Sequence, residues 1–164
     1  MSDRLLIGVG NDWRRDDGAG PAVAERLRGV AGWDVLVVAG DGSAIMEAWR
    51  GRGRVVVVDA MRSTLPPGTV RRFDAARRPL PNTTFPSLSH RFGLAEAVEM
   101  ARLLGRLPGT LIIFGIEAAD IGHGQGLSAE VAAAVATVTD AIVAGGVFEE
   151  ADFDEDCRSG GTTV

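Results

Sequence analysis

The stretch Leu5-Leu6-Ile7-Gly8-Val9-Gly10-Asn11-Asp12-Trp13-Arg14-Arg15-Asp16-Asp17-Gly18-Ala19-Gly20 decides how the rest of the chain is read. Leu5 to Ile7 is an apolar run too short for a helix and typical of a strand covered on both faces. Gly8 and Gly10 let the backbone turn sharply or approach another group closely. A polar loop follows, and the acidic pair Asp16-Asp17 stands at the mouth of a helix beginning near Ala19. Taken alone, Asp17 reads as an N-cap whose carboxylate accepts backbone N–H bonds.

Outward from that stretch, strands and helices alternate. Ala19 to Arg28 reads as a helix, Trp33 to Val38 as a second strand, and Ser43 to Arg50 as a short helix broken by Gly51-Arg52-Gly53. Val55-Val56-Val57-Val58 is the clearest strand, because four consecutive β-branched residues suit a central parallel strand far better than a helix, and Asp59 closes it. Pro66-Pro67-Gly68 makes a turn, and Thr69 to Phe73 reads as a strand at or near the sheet edge. The prolines between Ala75 and Pro86 argue against regular structure there. Gly93 to Leu104 reads as a helix and Leu111 to Ile116 as a buried strand. Ser128 is expected to cap a last helix whose apolar stripe is Leu127, Val131, Val135, Val138 and Ile142. This alternation predicts an α/β fold with three layers, α/β/α, in which a mostly parallel twisted sheet carries helices on both faces. Residues 1–148 are expected to form one domain and residues 149–164 an acidic, solvated tail.

Composition narrows the function. The 164 residues are 46% hydrophobic, enough for a sizeable core. A net charge of -5 gives no reason to expect a nucleic-acid partner. All 17 lysine-plus-arginine positions are arginine, which removes the Walker A lysine, Schiff-base chemistry and Ser-Lys dyads. The single cysteine, Cys157, excludes an intrachain disulfide and any site built from several thiolates. No apolar run is long enough to cross a bilayer, and Met1 to Arg4 leave no room for a signal peptide, so the expected location is cytoplasmic. No HExxH helix or G-x-S-x-G elbow is present. Gly8 and Gly10 imitate a dinucleotide fingerprint, but Trp13 occupies its third glycine position and the helix starts too late.

In a sheet of this kind ligands gather beyond the carboxyl ends of the strands. Asp17, Asp59 and His90 fall there by position, and two carboxylates with an imidazole suit a borderline divalent metal that keeps room for a substrate ligand. Each residue also has a plain structural reading, Asp59 as the cap of a turn and His90 as a surface residue.

Several of these segments together resemble the [NiFe]-hydrogenase maturation proteases. They are Gly8-Val9-Gly10-Asn11 with Asp16-Asp17-Gly18-Ala19-Gly20, Val57-Val58-Asp59-Ala60, Pro67-Gly68-Thr69-Val70, Ser89-His90, Phe114-Gly115-Ile116-Glu117 and Leu127-Ser128. The resemblance covers nearly all of the chain before the tail. It implies a hydrogenase maturation endopeptidase, a hydrolase that removes a short C-terminal extension from the precursor of a hydrogenase large subunit after nickel insertion. By the same resemblance Asp17, Asp59 and His90 would bind metal, with Asp17 and Asp59 also available to catalysis. No resident cofactor is then expected. Nickel arrives with the substrate, and other divalent ions could take its place.

Family members resemble an Asp-Gly-Gly-Thr/Ser sequence after the second strand, beside the substrate. Here Gly40-Asp41-Gly42-Ser43 places the acid one residue late. Either Asp41, with Gly42, contacts substrate through a small loop shift, or the role differs. A monomer acting on a protein precursor is expected, with no nucleic acid and no membrane involved. The alternative is a non-catalytic metal-sensing or metal-binding module using the same three residues. His90 must be neutral to coordinate, so ligation predicts that activity falls below about pH 6.5. His123, flanked by Gly122 and Gly124, is expected in a loop with no ligand role.

Overall fold

The computed structural model describes residues 2–81 and 92–149 of the chain. Nine regular elements follow the expected alternation: β1 (Arg4–Val9), α1 (Ala19–Leu27), β2 (Trp33–Val38), α2 (Gly42–Trp49), β3 (Arg54–Met61), β4 (Val70–Asp74), α3 (Leu94–Leu103), β5 (Thr110–Glu117) and α4 (Ala129–Val143). A 3-10 turn, Arg15–Gly18, precedes α1. The five strands form one sheet in the order β2-β1-β3-β5-β4. β1, β2, β3 and β5 run parallel, and only the edge strand β4 is antiparallel.

The sheet explains the apolar runs. Val55 and Val57 enter one core with Leu5, Ile7, Leu111 and Ile113, beneath Ile45 and Trp49 of α2 and Leu94 and Val98 of α3. Val56 and Val58 enter the other core with Leu6, Ile112 and Phe114, beneath Val23 and Leu27 of α1 and Val131, Val135, Val138 and Ile142 of α4. Helices therefore cover both faces. Each of the four valines is fully buried, a contribution of about 1.5–3 kcal/mol apiece before entropic costs. Among the described residues no helix is long and apolar enough to cross a membrane.

Two sequence expectations are corrected. Asp59 does not close β3, which continues to Met61 and keeps Asp59 paired opposite Gly115 of β5. The preceding valine run ended the apolar signal, but backbone pairing with β5 outlasts it. Ser128 stands at the N-cap of α4, yet its side chain makes no capping bond. Its hydroxyl donates instead to Asp16, 112 residues earlier.

The strand order also fixes where a ligand belongs. From β1 the chain crosses to β2 on one side, then returns to β3 on the other. The sheet thus reverses direction between β1 and β3, and a crevice opens beyond the carboxyl ends of strands at such a reversal.

Candidate functional site

Asp17 follows β1 and Asp59 lies near the end of β3, one on each side of that reversal. The approach of α1 to the sheet sets their position. A Cβ on Gly8 would run into the Gly20 carbonyl oxygen, and one on Gly20 would meet the carbonyl oxygens of Val9 and Val58. Glycine at both places lets the start of α1 lie directly against β1 and β3. Gly10 has φ +141 and leaves no room for a side chain against the Asp17 carbonyl, so the loop folds back tightly over the end of β1.

The tandem acids have different surroundings. Asp16 is fully buried. Its Oδ1 accepts the Ser128 N–H at 2.7 Å. Its Oδ2 accepts the N–H groups of Ala119 (2.9 Å) and Asp120 (3.0 Å) and the Ser128 hydroxyl (3.0 Å). Burial alone would raise this carboxyl, but the hydrogen bonds from Ser128, Asp120 and Ala119 outweigh it and hold the group below its ordinary value. Asp17 is half-buried, and its carboxylate accepts the Asn11 N–H at 2.9 Å. Burial raises its carboxyl, and neither the Asn11 bond nor the charge of Arg14 fully compensates. The reading of Asp17 as a helix cap does not hold: the N-cap of α1 is Gly18, and Asp17 bonds backward into its own loop.

Asp59 is half-buried on β3. Desolvation pushes its carboxyl well above the ordinary value, and the negative charge of Asp17 pushes it further, with only the Ala60 N–H opposing. The two side chains are thus within electrostatic reach of each other. Two like charges sharing a poorly hydrated site favour a proton or a metal cation between them.

His90 lies outside the described residues, so its placement relative to the pair is not part of the geometry. Among the described residues no group of three or more His, Cys, Asp or Glu side chains could hold a metal ion. Phe92, the first residue described after His90, is tied to the start of α2, where Gly42 donates its N–H to the Phe92 carbonyl at 2.8 Å. Gly42 is buried, and a Cβ there would collide with the Phe92 ring. Asp41 is exposed and caps α2, accepting the Ser43 N–H at 2.9 Å. His123 is exposed, and its carbonyl accepts from Arg15 at 3.3 Å.

Sequence reasoning missed two buried acids. Asp16 is one. Glu117 is the other, only 3% exposed, with the Ser63 N–H and hydroxyl donating to its carboxylate at 2.8 and 2.9 Å. The acidic pair signalled that a carboxylate mattered but not which of the two would be enclosed. Chemistry of a different kind lies at the other end of the sheet. A groove of about 620 Å³ there is lined by Arg50, Arg52 and Arg106, with Glu47 as its single acid.

Residues 22–145 match the model of a family described as hydrogenase maturation protease, a range that includes Asp59 and begins after Asp17. The curated protein HupD of Thiocapsa roseopersicina, a hydrogenase expression/formation protein, is 28% identical over 121 residues. That match covers 71% of this chain and 55% of HupD, so the chain spans about half the length of that relative. The [NiFe] hydrogenase maturation protease HybD from Thermococcus kodakarensis is 26% identical with a TM-score of 0.61, covering 87% of this chain and 97% of its own. The endopeptidase HycI from Escherichia coli is 27% identical with a TM-score of 0.64, covering 88% and 90%. The hydrogenase maturating endopeptidase HybD from Escherichia coli shares the fold, with a TM-score of 0.69 at 20% identity over 88% and 91%.

Proposed function

This chain belongs to the hydrogenase maturation protease family, and on that premise we propose that it is an endopeptidase acting on a [NiFe]-hydrogenase large subunit. Its substrate is the nickel-loaded precursor, from which it removes a C-terminal extension. The observation that carries the reading is the Asp17–Asp59 pair at the reversal point of the sheet, with both carboxyls raised above their ordinary value.

The pair suits a substrate that brings its own cation. Without one, the carboxylates repel each other and Asp59 retains a proton more readily than an ordinary acid. A divalent ion held by the precursor removes that repulsion and displaces the proton, so nickel-loaded precursor docks in preference to the empty form. His90 is proposed as the nitrogen donor that completes the set.

Once the ion is engaged, Asp59 is suited to activate water. With its own proton displaced by the ion, the Asp59 carboxylate is free to accept one from water. Asp17 then stays ionised on the ion, and the nickel of the substrate polarises the scissile carbonyl.

The test is incubation of the full chain with nickel-loaded and nickel-free precursor, read by the mobility shift that accompanies loss of the extension. Cleavage confined to the loaded precursor, and lowered about 10²–10⁴-fold in Asp59→Asn, is expected. A protein that binds Ni²⁺ through the pair but leaves both precursors intact would instead be a metal-binding module.

A further inference from the structure

The first loop holds its acids in a conformation that needs restraint. Arg15 has φ +49, in the left-handed region unfavourable to a side chain, and Asp17 is kept near a second carboxylate. Asn11, the donor to Asp17, lies in the same loop, so that bond shapes the loop without anchoring it. The anchor is elsewhere. Backbone bonds join the loop to the connection between β5 and α4: Arg15 N–H to Gly124, Asp16 N–H to Asp120 and Gly124 N–H to Trp13, at 2.9–3.0 Å. At the centre of this seam lies the enclosed Asp16 carboxylate, its donors drawn from Ala119, Asp120 and Ser128.

We infer that Asp16 is a positioning residue, clamping the first loop to residues 119–128 so that Asp17 is held beside β3 and within reach of Asp59. The inference rests on the function proposed above and names a determinant of the same site. The chemistry requires a carboxylate. Oδ2 takes three donors and Oδ1 a fourth, which an ionised acid can accept in full. Asparagine would have to set its own NH₂ against at least one of these donors. It would leave buried groups unpaired and loosen the seam beside Asp17. Ser128 completes the clamp with both its N–H and its hydroxyl, which explains why that hydroxyl does not cap α4.

The test measures Ni²⁺ binding to the full chain by calorimetry, well below the thermal midpoint, for Asp16→Asn, Ser128→Ala, Ser128→Thr and Asp59→Asn. Asp16→Asn is expected to weaken Ni²⁺ binding about 10–100-fold, the scale on which supporting groups act on metal sites. Ser128→Ala loses one bond and should weaken binding about 3–10-fold, with Ser128→Thr restoring it because the hydroxyl remains. A purely structural role would lower the thermal midpoint and leave the affinity of the folded protein unchanged. Folded Asp16→Asn binding Ni²⁺ like the parent overturns the inference. If Asp16→Asn does not fold, parental binding by Ser128→Ala overturns it equally. Failure of the functional reading looks different, because Asp59→Asn would then also bind like the parent.

Discussion

On the inner flank of the first loop, the Asp16 carboxylate meets four donors and is fully enclosed. On the outer flank, one residue later, Asp17 accepts the Asn11 N–H, and its charge is felt at Asp59 across the reversal of the strand order. Both are aspartates, both lose water, and their proton affinities move in opposite directions. The difference lies in what replaces the water. Four aimed dipoles make ionisation favourable at Asp16, whereas at Asp17 burial outweighs the Asn11 N–H and the charge of Arg14, and at Asp59 burial and the charge of Asp17 outweigh the Ala60 N–H. Asp16 is thus complete within the fold, whereas the proposed function has a cation carried by the substrate complete the Asp17–Asp59 pair.

That contrast breaks most visibly at Asp59. Asp59→Asn removes the proposed base and half of the cation pair, so processing should fall about 10²–10⁴-fold. Its thermal midpoint at neutral pH should be equal to or above that of the parent, because the variant no longer carries an unfavourable buried charge. A variant that processes normally would remove Asp59 from the mechanism.

At Asp16 the order of effects reverses, with stability affected first. Asp16→Asn should cost about 2–3 kcal/mol, the scale of leaving buried donors unpaired, and denaturant unfolding measures it.

pH separates the two environments by sign. The Asp16 carboxyl lies below its ordinary 3.8 in the folded protein, so its contribution is present above about pH 4 and is lost as pH falls through the folded value. The Asp59 carboxyl lies well above 3.8, so the folded state gains from it at low pH and loses that gain as pH rises from about 4 through its folded value. Denaturation curves at pH 3 and pH 7 should therefore show Asp59→Asn stabilising relative to the parent at pH 7, an advantage that shrinks at pH 3. The Asp16→Asn deficit should likewise be largest at pH 7.

The smallest effect is expected at Asp41, a third acid at the same end of the fold. As an exposed helix cap it should cost about 1 kcal/mol on replacement by Ala, a fall of about 2–4 °C in midpoint. A rise in KM for precursor beyond that loss would add substrate contact to its capping role.

Much of this architecture is legible in the chain. Val55 to Val58 announce a strand buried on both faces, and the spacing of Val131, Val135, Val138 and Ile142 announces a helix packed along one side. Asp17 stands out as a carboxylate after β1 and Asp59 as one ending a valine run, and the fold places Asp17 beyond β1 and Asp59 within β3 at the same reversal. The length of β3 beyond its valines was not legible, because it depends on pairing with β5. The partner of Ser128 was hidden for the same kind of reason. A serine before a helix suggests a local cap, but the stronger acceptor lies 112 residues away in sequence.

The sequence by itself determined the order of strands and helices, the faces they bury and the family to which the chain is similar. Those properties follow from side-chain pattern over a few neighbouring residues. Only the tertiary structure decided which of two adjacent aspartates is sealed by hydrogen bonds and which is left facing another acid. A carboxylate's behaviour is set by the dipoles and charges around it in space, and the donors that seal Asp16 come from segments about a hundred residues distant in the chain.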